Sequence, residues 1–417
     1  PVPSMILPPT IASNLDTSDE ICLKVIKSFV KGRREWVESE GRAVLCMLKT
    51  NVHDHVVYKI RMAELRRLVE TLGLEIVGEF IQTRSQPYSK FLIGSGKVAE
   101  IKRFVKAKHV DLVVFYNILT SSQKLNLIRE LGCDVVDRYE ITLEIFDRMA
   151  SDNLSKLQIE AARLEKLAPY FKLEASLKFR NEHPFFRSMG EYAYHSRLRE
   201  ITRRQAKIRE RIEALKREKQ RRIYKRKSLG YPIICISGFY NAGKTSLFNA
   251  LTGEDKPVSP KPFTTLSSKY QRRYLEDGKT LLFIDTIGFV LDLDPRLIKS
   301  FELNLEDIRC ADLVLLLLEI NDPLLTLRMK LREGVRLLTD IGVSPDRIIV
   351  VFNKLDLAPE RGESIGDDLG LPLLGLPWIA VSAKERINLD GLLQLIIQRL
   401  EEVEKPRLEA VAAVGEG

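Results

Sequence analysis

Two stretches of the chain alternate short apolar runs with amphipathic segments, a pattern typical of α/β domains. In the first stretch the apolar runs predict strands at 43–48, 74–81, 91–93, 110–116 and 133–136. The segments between them predict helices at 62–72, 97–106 and 121–131. Because helices of about ten residues separate the strands, we expect a mainly parallel sheet.

The second stretch begins after a Leu-Gly-Tyr-Pro break at 229–232. Its predicted strands are apolar at nearly every position, as in strands that are buried on both faces. They lie at 233–237, 280–284, 312–320, 347–352 and 378–381, and a helix is predicted at 246–251. We therefore expect a second α/β domain with a parallel sheet.

Between these stretches, 141–172 and 191–227 contain no glycine, and apolar residues recur at spacings of three and four. This pattern predicts two long helices, joined by 173–190 as an antiparallel helical hairpin. The expected organisation has five parts. These are an N-terminal extension (1–40, unassigned), an N-terminal α/β domain (41–140), the hairpin (141–228), a C-terminal domain (229–403) and a frayed tail (404–417).

The net charge of +9 has one origin in the sequence. Residues 197–227 contain fifteen Lys or Arg and four Asp or Glu, so this segment carries the whole excess. Such a basic stripe attracts polyanions and predicts contact with RNA or with membrane phosphate. A solvated helix with internal ion pairs is the alternative.

Composition excludes several protein classes. A hydrophobic content of 45% supports folded cores, and no apolar run approaches the length of a membrane span. No leader pattern is visible, so secretion is not expected. The five cysteines are not at metal-ligand spacing, which favours free thiols in a reducing, cytoplasmic setting.

The strongest chemical motif is a phosphate-binding loop (P-loop), Gly238-Phe-Tyr-Asn-Ala-Gly243-Lys244-Thr245, which lies between a predicted strand and a predicted helix. Its glycines let backbone N–H groups approach phosphates at a helix N-terminus. Lys244 is expected to reach the β- and γ-phosphates, and the Thr245 hydroxyl to bind Mg²⁺. The predicted phosphate-binding residues are Gly238, Asn241, Ala242, Gly243, Lys244, Thr245 and Ser246.

Asn353-Lys354-Leu-Asp356 selects the base, since it follows a predicted buried strand about 110 residues after the P-loop. The Asp356 carboxylate can accept hydrogen bonds from the guanine N1–H and N2 amine, whereas adenine offers no such pair. Asn353 and Lys354 are expected to brace the base and the loop. After the last strand, Ser382-Ala383-Lys384 could offer backbone N–H groups to the base oxygen.

Asp285-Thr-Ile-Gly288 follows another predicted strand, so Asp285 is expected to hold Mg²⁺ and the Gly288 N–H to sense the γ-phosphate. Thr264 and Thr265 lie between this motif and the P-loop. We favour Thr265 as the threonine that closes onto Mg²⁺ and the γ-phosphate. The expected catalytic residues are Lys244, Thr265 and Gly288, and the expected metal ligands are Thr245, Thr265 and Asp285.

These motifs, in order and spacing, resemble a translation-factor-class GTPase domain, and the rest of the chain resembles the HflX family of ribosome-associated GTPases. The matching stretches are Leu92-Ile-Gly-Ser-Gly-Lys-Val-Ala-Glu100, Val135-Val-Asp-Arg138, Leu157-Gln-Ile-Glu160, Gly190-Glu191, Asn241 and Phe263-Thr-Thr265-Leu266. The resemblance implies a GTP- and GDP-binding hydrolase that docks on large-subunit ribosomal RNA. It also implies splitting or rescue of ribosomes. We expect a monomer.

Two positions qualify this picture. Phe289 stands where many GTPases have a water-orienting Gln, and a phenyl ring cannot orient water by hydrogen bonding. Slow intrinsic hydrolysis, stimulated by a partner, is therefore expected. Asn241 is similar to the P-loop Asn that helps to hold K⁺ in potassium-stimulated GTPases, and an Asn that only stabilises the loop is equally compatible.

Two other functions stay open on sequence alone. Gly94-Ser-Gly96-Lys97 could be a second phosphate cradle in an ATP-dependent RNA-remodelling protein, although a tight turn is the favoured interpretation. The basic helix could instead serve a GTPase switch at a membrane surface.

Overall fold

The computed structural model describes residues 41–150, 152–180, 187–228, 230–253, 269–275, 278–286 and 288–415. These residues divide into two compact units. One contains the described residues up to Ile145 together with Arg163–Gln205, and the other contains Phe146–Ala162 and the described residues from Ala206 onward. The predicted extension at 1–40 lies outside the described residues.

The first unit contains a four-stranded sheet in the order β2-β1-β3-β4, and every neighbouring pair is parallel. This confirms the predicted parallel α/β fold. The strands are β1 (Arg42–Lys49), β2 (Glu75–Thr83), β3 (Leu112–Phe115) and β4 (Asp134–Asp137). The helices that follow them are α1 (Val57–Thr71), α2 (Ser95–Lys108), α3 (Ser121–Leu131) and α4 (Arg138–Met149).

The strand predicted at 91–93 is wrong. Phe91, Leu92 and Ile93 are buried in the core under α2 and α3, which explains their apolar character. Leu92 has a φ of +69°, a left-handed conformation that turns the chain, and it makes only an isolated bridge with Tyr88. The apolar run at 91–93 therefore marks a buried turn and not a strand.

Two long helices follow, α5 (Asn153–Arg180) and α6 (Arg187–Lys227), as the glycine-free stretches predict. The first stretch is not one continuous helix, because α4 ends at Met149 and α5 begins after Asp152. The Ser155 N–H donates to Asp152 Oδ1 at 2.8 Å, so Asp152 caps the new helix. Residues 181–186, in the predicted connecting loop, lie outside the described residues.

The second unit contains a six-stranded sheet in the order β10-β9-β8-β5-β7-β6. Its pairs are parallel except that β6 is antiparallel to β7. The strands are β5 (Ile233–Gly238), β6 (Lys269–Tyr274), β7 (Thr280–Asp285), β8 (Leu313–Glu319), β9 (Ile348–Asn353) and β10 (Trp378–Ala380). The helices are α7 (Lys244–Thr252), α8 (Pro295–Ser300), α9 (Glu302–Cys310), α10 (Leu324–Ile341), α11 (Ile365–Asp368) and α12 (Leu389–Gly415).

Five of these six strands match predicted positions, and β6 is the one strand that the sequence pattern does not predict. Its sequence, Lys-Tyr-Gln-Arg-Arg-Tyr, contains no apolar run, because an edge strand needs to bury little of its surface. The last helix continues to Gly415, where the sequence predicted a frayed tail from 404.

Two further observations concern membrane and thiol chemistry. In the part of the chain that the structure describes, no helix combines the length and apolarity required to cross a bilayer. The four described cysteines, Cys46, Cys133, Cys235 and Cys310, are free thiols, as predicted.

Candidate active site

The P-loop joins β5 to α7 through a turn that requires glycine at two positions. Gly238 has a φ of +136°, and a Cβ there would lie 2.3 Å from the Leu317 carbonyl oxygen. Gly243 has a φ of +86°, and a Cβ there would lie 2.3 Å from Asn353 Nδ2. Because neither glycine carries a side chain, the loop packs closely against β8 and β9. The N-terminus of α7 is then available to bind an anion.

Lys244 begins α7 and is buried, with its Nζ donating to the Phe239 carbonyl oxygen at 2.7 Å. Burial lowers the pKa of Lys244 to about 8; the Asp285 carboxylate opposes this shift and the Lys330 ammonium adds to it. A lysine in this position can exchange the carbonyl for phosphate oxygens, which would restore its charged form.

Thr245 and Asp285 meet at the end of β7. The Thr245 hydroxyl donates to Asp285 Oδ2 at 2.9 Å, and both side chains are buried. A hydroxyl from the start of the phosphate-binding helix and a carboxylate from the end of β7 are the hard oxygen ligands that Mg²⁺ prefers, so the pair fits this ion. Thr265 and Thr264 lie outside the described residues, so the third predicted ligand stays a prediction.

The end of the Asp285–Gly288 motif is tied to the P-loop. The Phe289 N–H donates to the Gly238 carbonyl oxygen at 2.9 Å, and the Tyr240 N–H donates to the Phe289 carbonyl oxygen at 2.9 Å. A Cβ added at Gly288 would lie 2.9 Å from Lys244 Nζ, so the Gly288 backbone lies directly against the lysine ammonium.

The Phe289 side chain faces away from this chemistry. It is 2% exposed, and its ring meets the Phe239 ring edge-on with centroids 6.2 Å apart. Together with Phe146, Leu297 and Phe301 it lines an apolar pocket within the second unit. Phe289 is therefore a core residue, and its ring has no polar atom with which to orient water.

Asn353, at the end of β9, connects the phosphate side of the site to the base side. Its Nδ2 donates to the Ala242 carbonyl oxygen at 2.8 Å, and its Oδ1 accepts from the Ala383 N–H at 3.0 Å. The buried amide thus bridges the P-loop to the Ser382–Lys384 loop. These two hydrogen bonds are the contacts through which Asn353 can brace the site.

Lys354 and Asp356 follow in a left-handed turn. Lys354 has a φ of +68°, and its Nζ lies 2.7 Å from Glu319 Oε1. The Ser382 hydroxyl donates to Asp356 Oδ1, which orients the carboxylate expected to recognise guanine. The Lys384 side chain is largely exposed and pairs with Glu385 at 3.2 Å.

Sequence reasoning missed two charged residues beside the site. Glu319 braces Lys354, and its signal was an acid at the end of an otherwise apolar strand. Lys330 on α10 is buried, pairs with Asp322, and lies over the Phe239 ring at 5.9 Å. The helical pattern of α10 gives no signal for it, because its partner Asp322 lies outside the helix, in the loop that leads into it.

The turn at Gly94–Lys97 forms hydrogen bonds and an ion pair with residues of its own domain. The Gly94 N–H donates to Gln82 Oε1 at 2.7 Å, and Lys97 pairs with Glu100 at 2.7 Å. The Gly94 N–H and the Lys97 ammonium, which could otherwise contact a phosphate, therefore have partners within the domain, and this favours the turn interpretation.

Comparison with known proteins gives two family matches and a set of relatives that match over most of their length. The family described as "GTP-binding GTPase N-terminal" matches residues 59–147, and the family described as "50S ribosome-binding GTPase" matches residues 233–354. The GTPase HflX of Thermofilum pendens is 38% identical over 343 residues, which covers 81% of this chain and 80% of the relative. The GTPase HflX of Methanocaldococcus jannaschii is 33% identical over 352 residues, covering 83% and 86%.

Among solved structures, a GTP-binding protein from Sulfolobus solfataricus in complex with GDP is 24% identical. It covers 87% of this chain and 99% of its own, with a TM-score of 0.46.

Proposed function

The chain belongs to the HflX family of GTPases, and we propose that it is a GTP-gated factor that binds the large ribosomal subunit through its N-terminal unit. It is an enzyme that hydrolyses GTP to GDP and phosphate. The Asn353 amide carries the GTPase part of this proposal, because it joins the phosphate-binding loop and the base-binding loop into one buried site.

In the proposed cycle, P-loop N–H groups and Lys244 hold the phosphates, and Asp356 accepts hydrogen bonds from guanine. Thr245, Asp285 and Thr265 would hold Mg²⁺, which neutralises charge on the β- and γ-phosphates. The Gly288 N–H, adjacent to Lys244, senses whether the γ-phosphate is present. Loss of that phosphate releases the Thr265 and Gly288 segments, and with them the ribosome.

Hydrolysis by the free protein is expected to be slow, because the Phe289 side chain is buried and cannot orient the attacking water. A bound ribosome would stimulate the reaction by supplying or positioning the missing polar group. The role of K⁺ at Asn241 stays a prediction. The left-handed φ of +62° at Asn241 is by itself a sufficient reason for an Asn there.

The ribosomal partner is supported by the match of 233–354 to the family described as "50S ribosome-binding GTPase". The basic helix α6, which carries the excess charge of the chain, supports ribosomal RNA as the contacted surface. Splitting or rescue of ribosomes is the task we propose for the docked state. A cytoplasmic location follows from that partner, and the monomeric state stays a prediction.

Sedimentation with ribosomes through sucrose tests the proposal. We expect the protein to migrate with the large subunit in a non-hydrolysable GTP analogue and to stay at the top of the gradient in GDP. Binding in neither state would contradict the ribosomal proposal. Liposome co-sedimentation would then favour the membrane switch, and ATP hydrolysis that survives Asp356→Ala would favour the RNA-remodelling protein.

A further inference from the structure

Glu319 ends β8 and lies beside the start of the base-binding loop. It is aligned with Asn353 in the register of β8 and β9, and the Ile320 N–H donates to the Asn353 carbonyl oxygen at 3.0 Å. The Glu319 side chain is 12% exposed, and its Oε1 accepts from Lys354 Nζ at 2.7 Å. Because water screens an enclosed ion pair less than a surface pair, Glu319 can hold the lysine side chain in one place.

The backbone of Lys354 indicates that its side chain is needed at this position. Lys354 has a φ of +68°, a left-handed conformation that is uncommon for residues with a Cβ and that Gly or Asn adopts at lower cost. Such conformations persist where the surrounding structure imposes them. The ion pair with Glu319 is one such constraint, since it ties the end of the lysine side chain to the neighbouring strand.

The segment that carries Glu319 is itself anchored on both sides. Arg361 Nη1 donates to the Ile320 carbonyl oxygen at 3.1 Å and to the Asp322 carbonyl oxygen at 2.8 Å. The Asp322 N–H donates to the Glu319 carbonyl oxygen at 3.1 Å, and the Asp322 carboxylate pairs with Lys330 on α10. The Glu319 carboxylate is therefore a fixed partner for Lys354 and not a mobile surface acid.

Asp356 is the next acid in the chain after Lys354, only two positions away. Among the described residues, the Lys354 ammonium pairs with Glu319 and not with Asp356, whose Oδ1 accepts from the Ser382 hydroxyl. A carboxylate offers a limited number of acceptor positions. An ion pair between Lys354 and Asp356 would therefore compete with the guanine N1–H and N2 amine for the same two oxygens.

We propose that Glu319 is a positioning residue for guanine selection, which holds Lys354 away from Asp356 and so keeps the Asp356 carboxylate available to the base. Glu319 acts through Lys354 and does not itself contact the nucleotide. This inference rests on the proposed role of Asp356 in base recognition, and it extends that role to an acid on a different strand.

The test uses the full chain with Glu319→Gln, which keeps the size of the side chain and removes its charge. Dissociation constants are measured for GDP and for IDP, whose base lacks the N2 amine, so their ratio reports how well Asp356 accepts from that amine. We expect affinity for GDP to fall by about tenfold and affinity for IDP to fall less, so that discrimination drops by at least about threefold. The matched control is Glu130→Gln, because Glu130 pairs with Lys102 at 2.8 Å on the surface of α3, and both constants should change by less than about twofold.

A double variant shows whether Glu319 acts through Lys354. Adding Glu319→Gln to Lys354→Met should change the ratio of the GDP and IDP constants by less than about twofold, because the ammonium that Glu319 holds is already gone. Glu319→Asp keeps the charge and should recover most of the discrimination. An equal loss in the wild-type and Lys354→Met backgrounds would overturn the proposal, as would wild-type discrimination in Glu319→Gln.

Single-turnover hydrolysis at saturating GTP separates positioning of the base from general damage to the site. Because the change lies on the base side, the rate in Glu319→Gln should stay within about twofold of the wild type while the affinity falls. A rate that falls as much as the affinity would overturn the proposal.

The wild-type protein distinguishes this inference from the assignment on which it rests. If the wild type binds GDP and IDP equally well, Asp356 does not select guanine, and the role of Glu319 is wrong with it. If the wild type discriminates and Glu319→Gln does so equally well, the role of Glu319 alone is wrong and the role of Asp356 stands.

Discussion

Phe289 and Gly238 share a backbone hydrogen bond of 2.9 Å, from the Phe289 N–H to the Gly238 carbonyl oxygen, that joins the segment after Asp285 to the first residue of the P-loop. This bond, together with the return bond from Tyr240, fixes the direction of the Phe289 side chain toward the core. The position that many GTPases use to orient water is therefore used here for packing.

Phe289→Gln should not accelerate hydrolysis. The backbone bonds would direct the amide into the apolar pocket, where an unpartnered amide costs about 1–3 kcal/mol of stability. We expect the single-turnover rate of GTP hydrolysis to stay at or below that of the wild type, with a lower melting temperature. Phe289→Leu is the apolar control, with a milder loss of stability and an unchanged rate. A tenfold faster Phe289→Gln enzyme would show that the side chain can reach the water.

Nucleotide affinity should weaken as pH rises from 7 to 9. The pKa of Lys244 is about 8 in the unliganded protein, below its ordinary 10.5, and bound phosphate raises it, so binding above pH 8 requires proton uptake. Over this range the protonated fraction falls from about nine-tenths to about one-tenth, which predicts a roughly tenfold increase in Kd for GDP. Titrations in buffers of different ionisation enthalpy measure the proton uptake directly.

Lys244→Arg is the control for this pH dependence, because a guanidinium stays charged throughout the range. Its affinity should be lower overall but nearly constant between pH 7 and 9. A slope as steep as that of the wild type would assign the titration to another group.

Asp356→Asn should change the base that the site accepts. Asp356 is oriented by the Ser382 hydroxyl to accept from the two guanine donors, and losing the charged acceptor should weaken GTP binding by at least about a hundredfold. Xanthine carries a carbonyl in place of the N2 amine, so an Asn amide can donate to it. We expect XTP to displace GTP in a competition assay with Asp356→Asn, while GTP prevails in the wild type. Unchanged preference would remove Asp356 from base recognition.

The strands that position the candidate site could be predicted largely from the sequence, because they are buried on both faces and their apolar runs mark the strand ends sharply. β5, β8 and β9 were located within one or two residues for this reason. Prediction failed where a buried segment is not a strand, or where a strand is not buried. The buried turn at Phe91–Ile93 resembles a strand in sequence, and the polar edge strand β6 does not. The partners of Asn353 and Lys354 also required the fold, because residues far apart in sequence supply them.

Asn353→Ala should destabilise the GTPase unit and weaken nucleotide binding together. Truncation leaves the buried Ala242 carbonyl and Ala383 N–H without their amide partner, at about 1–3 kcal/mol each. Urea unfolding measures the loss. Asn126→Ala is the matched control, since Asn126 donates to the Lys90 carbonyl oxygen at 3.0 Å on the surface, and we expect a change within about 0.5 kcal/mol. Equal midpoints for the two variants would contradict a bracing role for Asn353.

Lys124→Met should unfold the N-terminal unit at a lower temperature without changing GTP hydrolysis. Lys124 Nζ donates to both carboxylate oxygens of Glu140, at 2.6 and 2.8 Å, and the two side chains are 4% and 0% exposed. Removing Lys124 breaks a buried ion pair, which typically costs about 3–5 kcal/mol. Lys102→Met removes the same residue type from an exposed pair with Glu130, and should cost less than about 1 kcal/mol. Calorimetry resolves the loss, and equal losses in both variants would mean that the buried pair does not hold α3 to α4.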